Sequence, residues 1–329
     1  MFVCDDFVKR ARVFRSYFEK EGLTLRPCAY DALSAILIEK AGFDVVGTSG
    51  YGISASIIGQ PDIGLVGYGE MVERVRTMIN AVSLPVDVDA DTGYGNALNV
   101  YWTVKNFAGI GAAGIRIEDQ VWPKRCGHMA GKQIIPTEEM MRKIKAAVKA
   151  REETNPFLVI GARTDARSVY GFNEVLERAK AYAEAGADYV YIEAPQSLEE
   201  VETLVREVPV PISFNIIPGG MTPPFTLKQL EEAGVRYLSV PMVCLYPAVK
   251  AIKEALASLR EGDLGKLVHM GVSWSEFNEI VGLNFWRSLE KGLLSSEELL
   301  EKYGSSNVEE VAERERKEAE NRWAGQKLQ

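Results

Sequence analysis

The stretch Phe157-Leu158-Val159-Ile160-Gly161-Ala162-Arg163 is apolar up to its final arginine. A short run of this kind, followed by the helical segment Phe172 to Ala185, predicts a strand of a parallel sheet that helices cover. Comparable runs recur along the chain, and helical segments lie between them. The predicted strands are Leu25 to Ala29, Asp44 to Thr48, Pro85 to Asp89, Ile115 to Glu118, Phe157 to Arg163, Tyr189 to Glu193, Ile212 to Asn215 and Tyr237 to Val240.

The number of strands favours one α/β architecture over another. About eight strands predict an α/β fold of the (β/α)8 TIM-barrel type, whereas a doubly wound open sheet is the alternative. No glycine-rich dinucleotide fingerprint follows the first strand, which weakens that alternative. We expect a catalytic barrel over residues 1–270 and a C-terminal helical extension over residues 271–329.

The extension has two kinds of helical segment. Trp274 to Lys291 reads as one helix, and its apolar residues recur at helical spacing as far as Leu294, so they form a face that its own barrel or a neighbouring subunit must cover. Ser296 to Tyr303 also reads as a helix. Val308 to Trp323 is rich in Glu, Arg and Lys and predicts a solvated helix.

Composition excludes several classes of partner. The net charge is -8 over 329 residues, which argues against nucleic acid, although a local cationic pocket can still bind an anionic substrate. The four cysteines form no CxxC pair, as expected for free thiols in a reducing cytoplasm. The N-terminus lacks the basic character of a signal peptide, and no apolar run reaches membrane-spanning length. We therefore expect a cytoplasmic protein that binds no membrane.

Carboxylates at the predicted strand ends suit a hard divalent cation. Asp89 and Asp91 are two residues apart and would face the same way on an ideal strand. Glu118 ends the next strand, and Asp62 is a possible fourth acid. Because Mg²⁺ keeps several waters, we expect one or two direct contacts. Mn²⁺ would also fit, but the His/Cys spacing that zinc requires is missing.

The loop Trp122 to Lys132 carries the most reactive groups. Cys126 stands close to Lys124, Arg125 and His128. Cationic neighbours lower the pKa of a thiol toward neutrality, and such a thiol can act as a general acid or base. The loop follows the strand that ends at Glu118, so the thiol is expected near the predicted metal site.

Other strand ends carry groups that could bind a substrate anion. Arg163 could bind a carboxylate in bidentate fashion, or it could form a structural pair with Asp165 or Glu193. Asn215 could donate to a carboxylate. The turn from Thr48 to Gly52 offers backbone N–H groups and a hydroxyl, as a small anion-binding nest does.

These motifs together resemble the isocitrate lyase/phosphoenolpyruvate mutase superfamily. They appear in family order between about residues 20 and 290. The matching elements are Ser49-Gly50-Tyr51, Pro61-Asp62, Asp89-Ala90-Asp91-Thr92-Gly93-Tyr94-Gly95, Ile117-Glu118-Asp119-Gln120, Lys124-Arg125-Cys126-Gly127-His128, Ala162-Arg163-Thr164-Asp165-Ala166, Ile192-Glu193-Ala194 and Asn215. The cysteine of the Lys-x-Cys-Gly-His loop places the chain in the lyase branch.

The resemblance implies a set of roles for these residues. Asp91 would hold Mg²⁺ directly, and Asp62, Asp89 and Glu118 mainly through water. Cys126 would be the general acid or base on a mobile gate, with Lys124 and His128 tuning it. The substrate-binding residues implied are Ser49, Gly50, Tyr51, Gly127, His128, Arg163, Glu193 and Asn215.

The resemblance also implies an assembly and a reaction. The last barrel helix would swap between subunits of a homotetramer built as a dimer of dimers. A 2-hydroxy di- or tricarboxylate would be cleaved by retro-aldol chemistry to a 2-oxo acid and a carboxylic acid. The continuation Met129-Ala130-Gly131 and the segment Phe277 to Gly282 favour a 2,3-dimethylmalate lyase type. A 2-methylisocitrate lyase, an oxaloacetate hydrolase or decarboxylase and a catalytically silent dicarboxylate-binding relative remain alternatives.

Overall fold

Eight parallel strands close into a barrel in this computed structural model, which describes residues 4–305 and 307–324. Each strand pairs with the next along the chain, and β1 pairs with β8 to complete the circle. The predicted (β/α)8 fold and all eight predicted strands are confirmed. The strands are β1 Thr24–Ala29, β2 Val46–Thr48, β3 Val86–Asp89, β4 Gly114–Glu118, β5 Val159–Thr164, β6 Tyr189–Ile192, β7 Ile212–Asn215 and β8 Tyr237–Val240.

The chain divides into two compact units, one ending at Tyr246 and the other beginning at Pro247. We predicted that the catalytic domain ends at residue 270, and this boundary stays a prediction. Helices of the first unit are α1 Asp5–Glu19, α2 Ala32–Lys40, α3 Gly50–Ile58, α4 Tyr68–Ala81, α5 Ala97–Gly109, α6 Thr137–Thr154, α7 Ala166–Val169, α8 Phe172–Glu184, α9 Leu198–Glu207 and α10 Leu227–Glu232.

The second unit is helical throughout its described elements, and its first helix begins just before the division. Its helices are α11 Leu245–Glu261, α12 Leu264–Met270, α13 Trp274–Ile280, α14 Leu283–Leu293, α15 Ser296–Tyr303 and α16 Val308–Ala324. The prediction of one helix from Trp274 to Lys291 is wrong. Gly282 adopts a left-handed φ of 77°, which ends one helix and begins the next. No helix among the described residues is both long enough and apolar enough to cross a bilayer.

A second correction concerns the predicted turn after β2. Ser49 is the N-cap of α3, and its hydroxyl accepts a hydrogen bond from the Gly52 N–H at 3.1 Å. Gly50 and Tyr51 therefore form the first turn of a helix rather than an irregular nest. Backbone N–H groups at a helix N-terminus also favour an anion, so anion binding here stays a prediction, now at the start of α3.

The inward-facing side chains of the barrel are unusually polar. Because side chains alternate along a strand, every second residue points into the barrel. In β3 and β4 the alternation places Asp87, Asp89, Arg116 and Glu118 inside. The outward residues, such as Val88, pack in the main hydrophobic core under the helices.

An ion pair fills the lower part of the barrel. Arg26 Nε lies 2.7 Å from Asp87 Oδ2, and the two side chains are 1% and 0% exposed. The hydroxyls of Tyr189 and Tyr237 donate to the same Asp87 oxygen at 3.2 and 3.0 Å. Phe14 of α1 packs against Tyr237 and closes this end. Asp87 thus balances a buried guanidinium and accepts two buried hydroxyls.

Removing this carboxylate should destabilise the barrel strongly. In Asp87→Ala the Arg26 charge is left buried without a counter-ion, so we expect a loss of about 3–5 kcal/mol in the free energy of unfolding. Urea unfolding followed by circular dichroism measures it. The matched control is Glu232→Ala, which breaks the exposed Lys228–Glu232 pair and should leave the midpoint unchanged. Equal midpoints for the two variants would contradict this account of the barrel interior.

Candidate active site

The predicted site residues meet in one pocket at the carboxyl end of the barrel. Those that line it are Ser49, Gly50, Tyr51, Asp62, Asp89, Cys126, Gly127, His128, Arg163, Glu193 and Asn215. Of the remaining three, Lys124 and Glu118 make ion pairs with the lining residues Asp62 and Arg163, and Asp91 makes an ion pair with Lys124. The strand ends and the Cys126 loop thus converge as the sequence predicts.

The four predicted metal ligands lie around buried cations. Lys124 Nζ is 2.7 Å from Asp62 Oδ1 and 2.7 Å from Asp91 Oδ1, and the lysine side chain is 4% exposed. Asp89 Oδ2 is 2.8 Å from Arg116 Nη2. Sequence reasoning missed Arg116, although a charged residue inside an apolar strand is a signal for an inward ion pair.

Burial and neighbouring charge move the pKa values of these acids apart. Burial raises the pKa of Asp91 to about 6, and the charges of Asp89 and Asp62 add to this against the opposing effect of Lys124. Burial also raises the pKa of Glu118. Burial opposes ionisation of Asp89 as well, but Arg116 holds its pKa below the usual range. Asp89 is therefore the most firmly ionised of these three acids, whereas the pKa of Asp91 stays above its usual range even with the Lys124 ammonium beside it.

The donor chemistry fits a hard cation, although the arrangement is not a finished ligand cage. Glu118 Oε1 is buried and accepts no hydrogen bond, whereas the buried Asp91 Oδ1 has the Lys124 ammonium 2.7 Å away. Among the described residues, no group of three His, Cys, Asp or Glu side chains is placed ready to hold a metal ion. The ammonium of Lys124 lies between Asp62 and Asp91, where it supplies the positive charge that these acids require.

Arg163 makes the structural pairs that the sequence left open and also faces the pocket. Its Nε is 2.9 Å from Asp165 Oδ2 and 3.4 Å from Glu118, and its Nη2 is 3.1 Å from Glu193. All of these ion pairs use Nε and Nη2. A guanidinium held on three sides is rigid, and Arg163 lines the pocket in which a substrate carboxylate could bind.

The Cys126 loop is fastened to the strand ends by His128. His128 Nε2 lies 3.1 Å from Glu193 Oε1 and 3.0 Å from Asn215 Oδ1, while its Nδ1 accepts the Met221 N–H at 2.9 Å. Because Nδ1 accepts, the neutral ring carries its proton on Nε2 and donates to Glu193 or Asn215. Burial alone would lower the pKa of His128, but the hydrogen bond and charge of Glu193 raise it.

Glycine is required at position 127 by the closeness of this contact. A Cβ on Gly127 would lie 2.1 Å from Glu193 Cδ and 2.5 Å from Arg163 Nη2. The loop backbone therefore rests directly on the arginine and glutamate that line the pocket. This contact brings the neighbouring Cys126 thiol over the same cavity.

The expected lowering of the Cys126 pKa is wrong for this structure. Burial raises the pKa of the thiol to about 11, and the charges of Glu193 and Asp62 add to this. The His128 N–H and Arg163 act in the opposite direction but are outweighed. Lys124, which the sequence placed beside the thiol, is paired with Asp62 and Asp91 instead. The thiol is thus neutral and suited to donate a proton.

Comparison with known proteins agrees with the geometry. The family model described as phosphoenolpyruvate phosphomutase matches residues 14–260. The chain belongs to the phosphoenolpyruvate mutase/isocitrate lyase superfamily. The 2,3-dimethylmalate lyase of Eubacterium barkeri is 42% identical over 85% of this chain and 96% of its own length. Relatives of several organisms at 34% to 38% identity are named 2-methylisocitrate lyase. The chain is an enzyme, a carbon–carbon lyase of this superfamily.

Solved structures of the superfamily share the barrel. An oxaloacetate acetylhydrolase with the inhibitor 3,3-difluorooxalacetate superposes with a TM-score of 0.82 at 31% identity, covering 87% of this chain and 97% of that one. A phosphonopyruvate hydrolase complexed with oxalate and Mg²⁺ gives a TM-score of 0.77 at 29% identity, covering 85% and 98%. Both relatives carry small carboxylate ligands, and the second also carries a magnesium ion.

The state of the Cys126 thiol can be tested through its chemical reactivity. Only the thiolate reacts rapidly with iodoacetamide, so a raised pKa makes alkylation slow at neutral pH. We expect the rate at Cys126 to keep rising between the ordinary thiol pKa of 9.0 and about 11. Mass spectrometry of the peptides gives the rate for each cysteine, with the exposed Cys4 as the internal control. A rate at Cys126 that levels off below 9.0 would contradict the raised pKa.

Proposed function

We propose that this lyase cleaves a 2-hydroxy dicarboxylate of the 2,3-dimethylmalate type to a 2-oxo acid and a carboxylic acid, with Mg²⁺ as cofactor. One observation carries the proposal: the Cys126 thiol lies on a loop over a pocket whose walls hold carboxylates and an arginine. The acids suit a divalent cation, the arginine suits a carboxylate, and the thiol can supply a proton to carbon.

The metal would be held by Asp91, with Asp62, Asp89 and Glu118 acting mainly through water. Carboxylates with few direct contacts are the usual Mg²⁺ ligands, and Mn²⁺ would also fit. When bound, the ion would neutralise negative charge on the 2-hydroxy carboxylate part of the substrate. Lys124 would then turn its charge toward the reacting groups that it is proposed to stabilise.

Binding and orientation would come from the strand ends. Arg163 would bind a carboxylate, while Asp165 and Glu193 hold its Nε and Nη2. Asn215 reaches Glu193 and His128, and so keeps both in place. Ser49, Gly50 and Tyr51 at the start of α3, together with Gly127, would complete the anion pocket.

Proton transfer at carbon is the proposed role of Cys126. After a base takes the proton of the substrate hydroxyl, the C2–C3 bond breaks in retro-aldol fashion: C2 and its oxygen form the carbonyl of the 2-oxo acid, and the electron pair of the broken bond remains on C3. The Cys126 thiol donates its proton to that carbon, and the reverse transfer occurs in condensation. The Nε2–H of His128 holds Glu193, and the closed loop keeps water away from the carbanion.

The pocket wall favours alkyl substituents over a third carboxylate. Ile217, Pro241 and Met242 line the pocket and are apolar. The other arginines of its lining, Arg26 and Arg116, are already paired with Asp87 and Asp89. A 2-methylisocitrate-type substrate would need a further cation, so it is the second candidate. An oxaloacetate hydrolase or decarboxylase is the third.

A substrate panel with Mg²⁺ tests the proposal. The panel is 2,3-dimethylmalate, 2-methylisocitrate, isocitrate and oxaloacetate, and the products are identified by mass spectrometry. We expect pyruvate-type 2-oxo acid release to be fastest from the dialkylmalate, to stop with EDTA and to return with Mg²⁺. Oxalate from oxaloacetate would assign the hydrolase, and indifference to EDTA would contradict the metal. No turnover of any compound would contradict the proposed substrate class.

The helices of the second unit support an assembly of several copies. Phe277, Phe285 and Trp286 are 43%, 64% and 59% exposed, which is unusual for large apolar side chains on neighbouring helices. We propose that this face meets another subunit by a helix swap in a homotetramer. Light scattering that finds a monomer at micromolar concentration would contradict this.

Free cysteines are consistent with the proposed cytoplasmic location.

A further inference from the structure

A buried lysine outside the proposed catalytic set connects the Cys126 loop to the barrel. Lys132 ends that loop, and its side chain is 2% exposed. Its ammonium lies 2.8 Å from Asp165 Oδ1 and also donates to the backbone carbonyl of Gly127. One cation thus holds a residue of the loop and a residue that follows β5.

Both partners of Lys132, Asp165 and Gly127, contact the guanidinium of Arg163. Asp165 binds Arg163 through two hydrogen bonds, from Nε at 2.9 Å and from Nη2 at 3.1 Å. Gly127 rests on Arg163 and Glu193 from the other side. The four residues Gly127, Lys132, Asp165 and Arg163 therefore form a closed ring of contacts, and Lys132 is the member that joins its two halves.

Asp165 is held in place by a buried hydrogen-bond network, which supports the ring. The Asp165 N–H donates to Asp119 at 3.0 Å. Asp119 is fully buried and accepts from Tyr182 at 2.7 Å and from Arg178 at 3.2 Å. The immobile side of the ring is therefore β5 with its support, and the loop is the side that Lys132 fastens.

We propose that Lys132 is a positioning residue that fastens the Cys126 loop over the pocket and, through Asp165, holds Arg163 in its orientation. Its charge is needed because Asp165 is buried at 0% exposure between two cations. Its reach is needed because the same ammonium must meet Gly127 and Asp165. The expected effect on the kinetics rests on the proposed function. The expectation that Lys132 fastens the loop does not depend on that function.

The first experiment measures the loop directly. Arg125 is exposed in the middle of the loop, so trypsin can cut after it when the loop leaves the barrel. We expect the peptide bond after Arg125 to be cut faster in Lys132→Met than in the natural protein, both alone and with Mg²⁺ and oxalate. The control is Lys145→Met, which removes an exposed lysine of α6 and should leave this cut unchanged.

The second experiment separates positioning from stability. A misplaced loop and a misplaced arginine should lower kcat by about 10²-fold and raise KM as well, since small displacements of reacting groups are costly. A variant that is only less stable would lose active enzyme, which lowers the apparent kcat and leaves KM unchanged. Lys132→Arg keeps the pair with Asp165 and should recover part of both values.

The two experiments fail in different ways. If no compound is turned over, the proposed function falls, and the tryptic cut still tests Lys132. Cutting after Arg125 at the natural rate in Lys132→Met, together with an unchanged KM, would overturn the inference. If Lys132→Met does not fold, Lys132→Gln takes its place, because it keeps a hydrogen bond donor without the charge; natural behaviour in that variant would overturn the inference equally.

Discussion

The alternation of side chains along parallel strands governs this molecule, because here it places charged groups inside a closed barrel. A buried charge is tolerated only beside a partner. Arg26 accordingly meets Asp87 low in the barrel, and Arg116 meets Asp89 above them. Arg163, the next inward cation toward the carboxyl end, meets carboxylates on three sides. The candidate active site is the open top of this stack of ion pairs, where, on the proposed function, the last layer would exchange a protein partner for a substrate.

The base of the site and its rim are built from different parts of the fold: the base from ion pairs inside the barrel, and the rim from a loop. Asp89 and Arg163 are held by pairs within the barrel, whereas Lys124, Cys126 and His128 arrive on a loop. The loop supplies a cation to Asp62 and Asp91, a thiol to the cavity and an imidazole to Glu193. On the proposed mechanism, closing the loop would assemble the reacting groups, and opening it would release them together. Burial in this loop position raises the pKa of the Cys126 thiol, which suits the proposed donation of a proton to a carbanion.

Much of this could be predicted from the sequence, and the failures have physical causes. The barrel could be predicted from the eight apolar runs, because strands and helices follow local sequence patterns. The grouping of the polar residues could be predicted as well, because the carboxyl ends of parallel strands lie at one edge of the sheet. The pairing of Asp89 with Arg116, and of Lys124 with Asp62 and Asp91, depends on register between strands and on the path of a loop. The Cys126 pKa could not be predicted because burial, which outweighs nearby cations, is a property of the folded loop. Gly282 divided a predicted helix because its left-handed backbone angle overrides apolar periodicity.

The central claim is that the Cys126 thiol transfers the proton at carbon, and replacement of that one sulfur tests it most directly. Steady-state cleavage of the preferred substrate is measured for Cys126→Ser beside Cys4→Ser, which alters an exposed thiol, with Mg²⁺–oxalate binding as a check on the pocket. The account predicts a fall in kcat of about 10²–10⁴-fold for Cys126→Ser with oxalate binding retained, as expected for the loss of a general acid. Full activity in Cys126→Ser would contradict it.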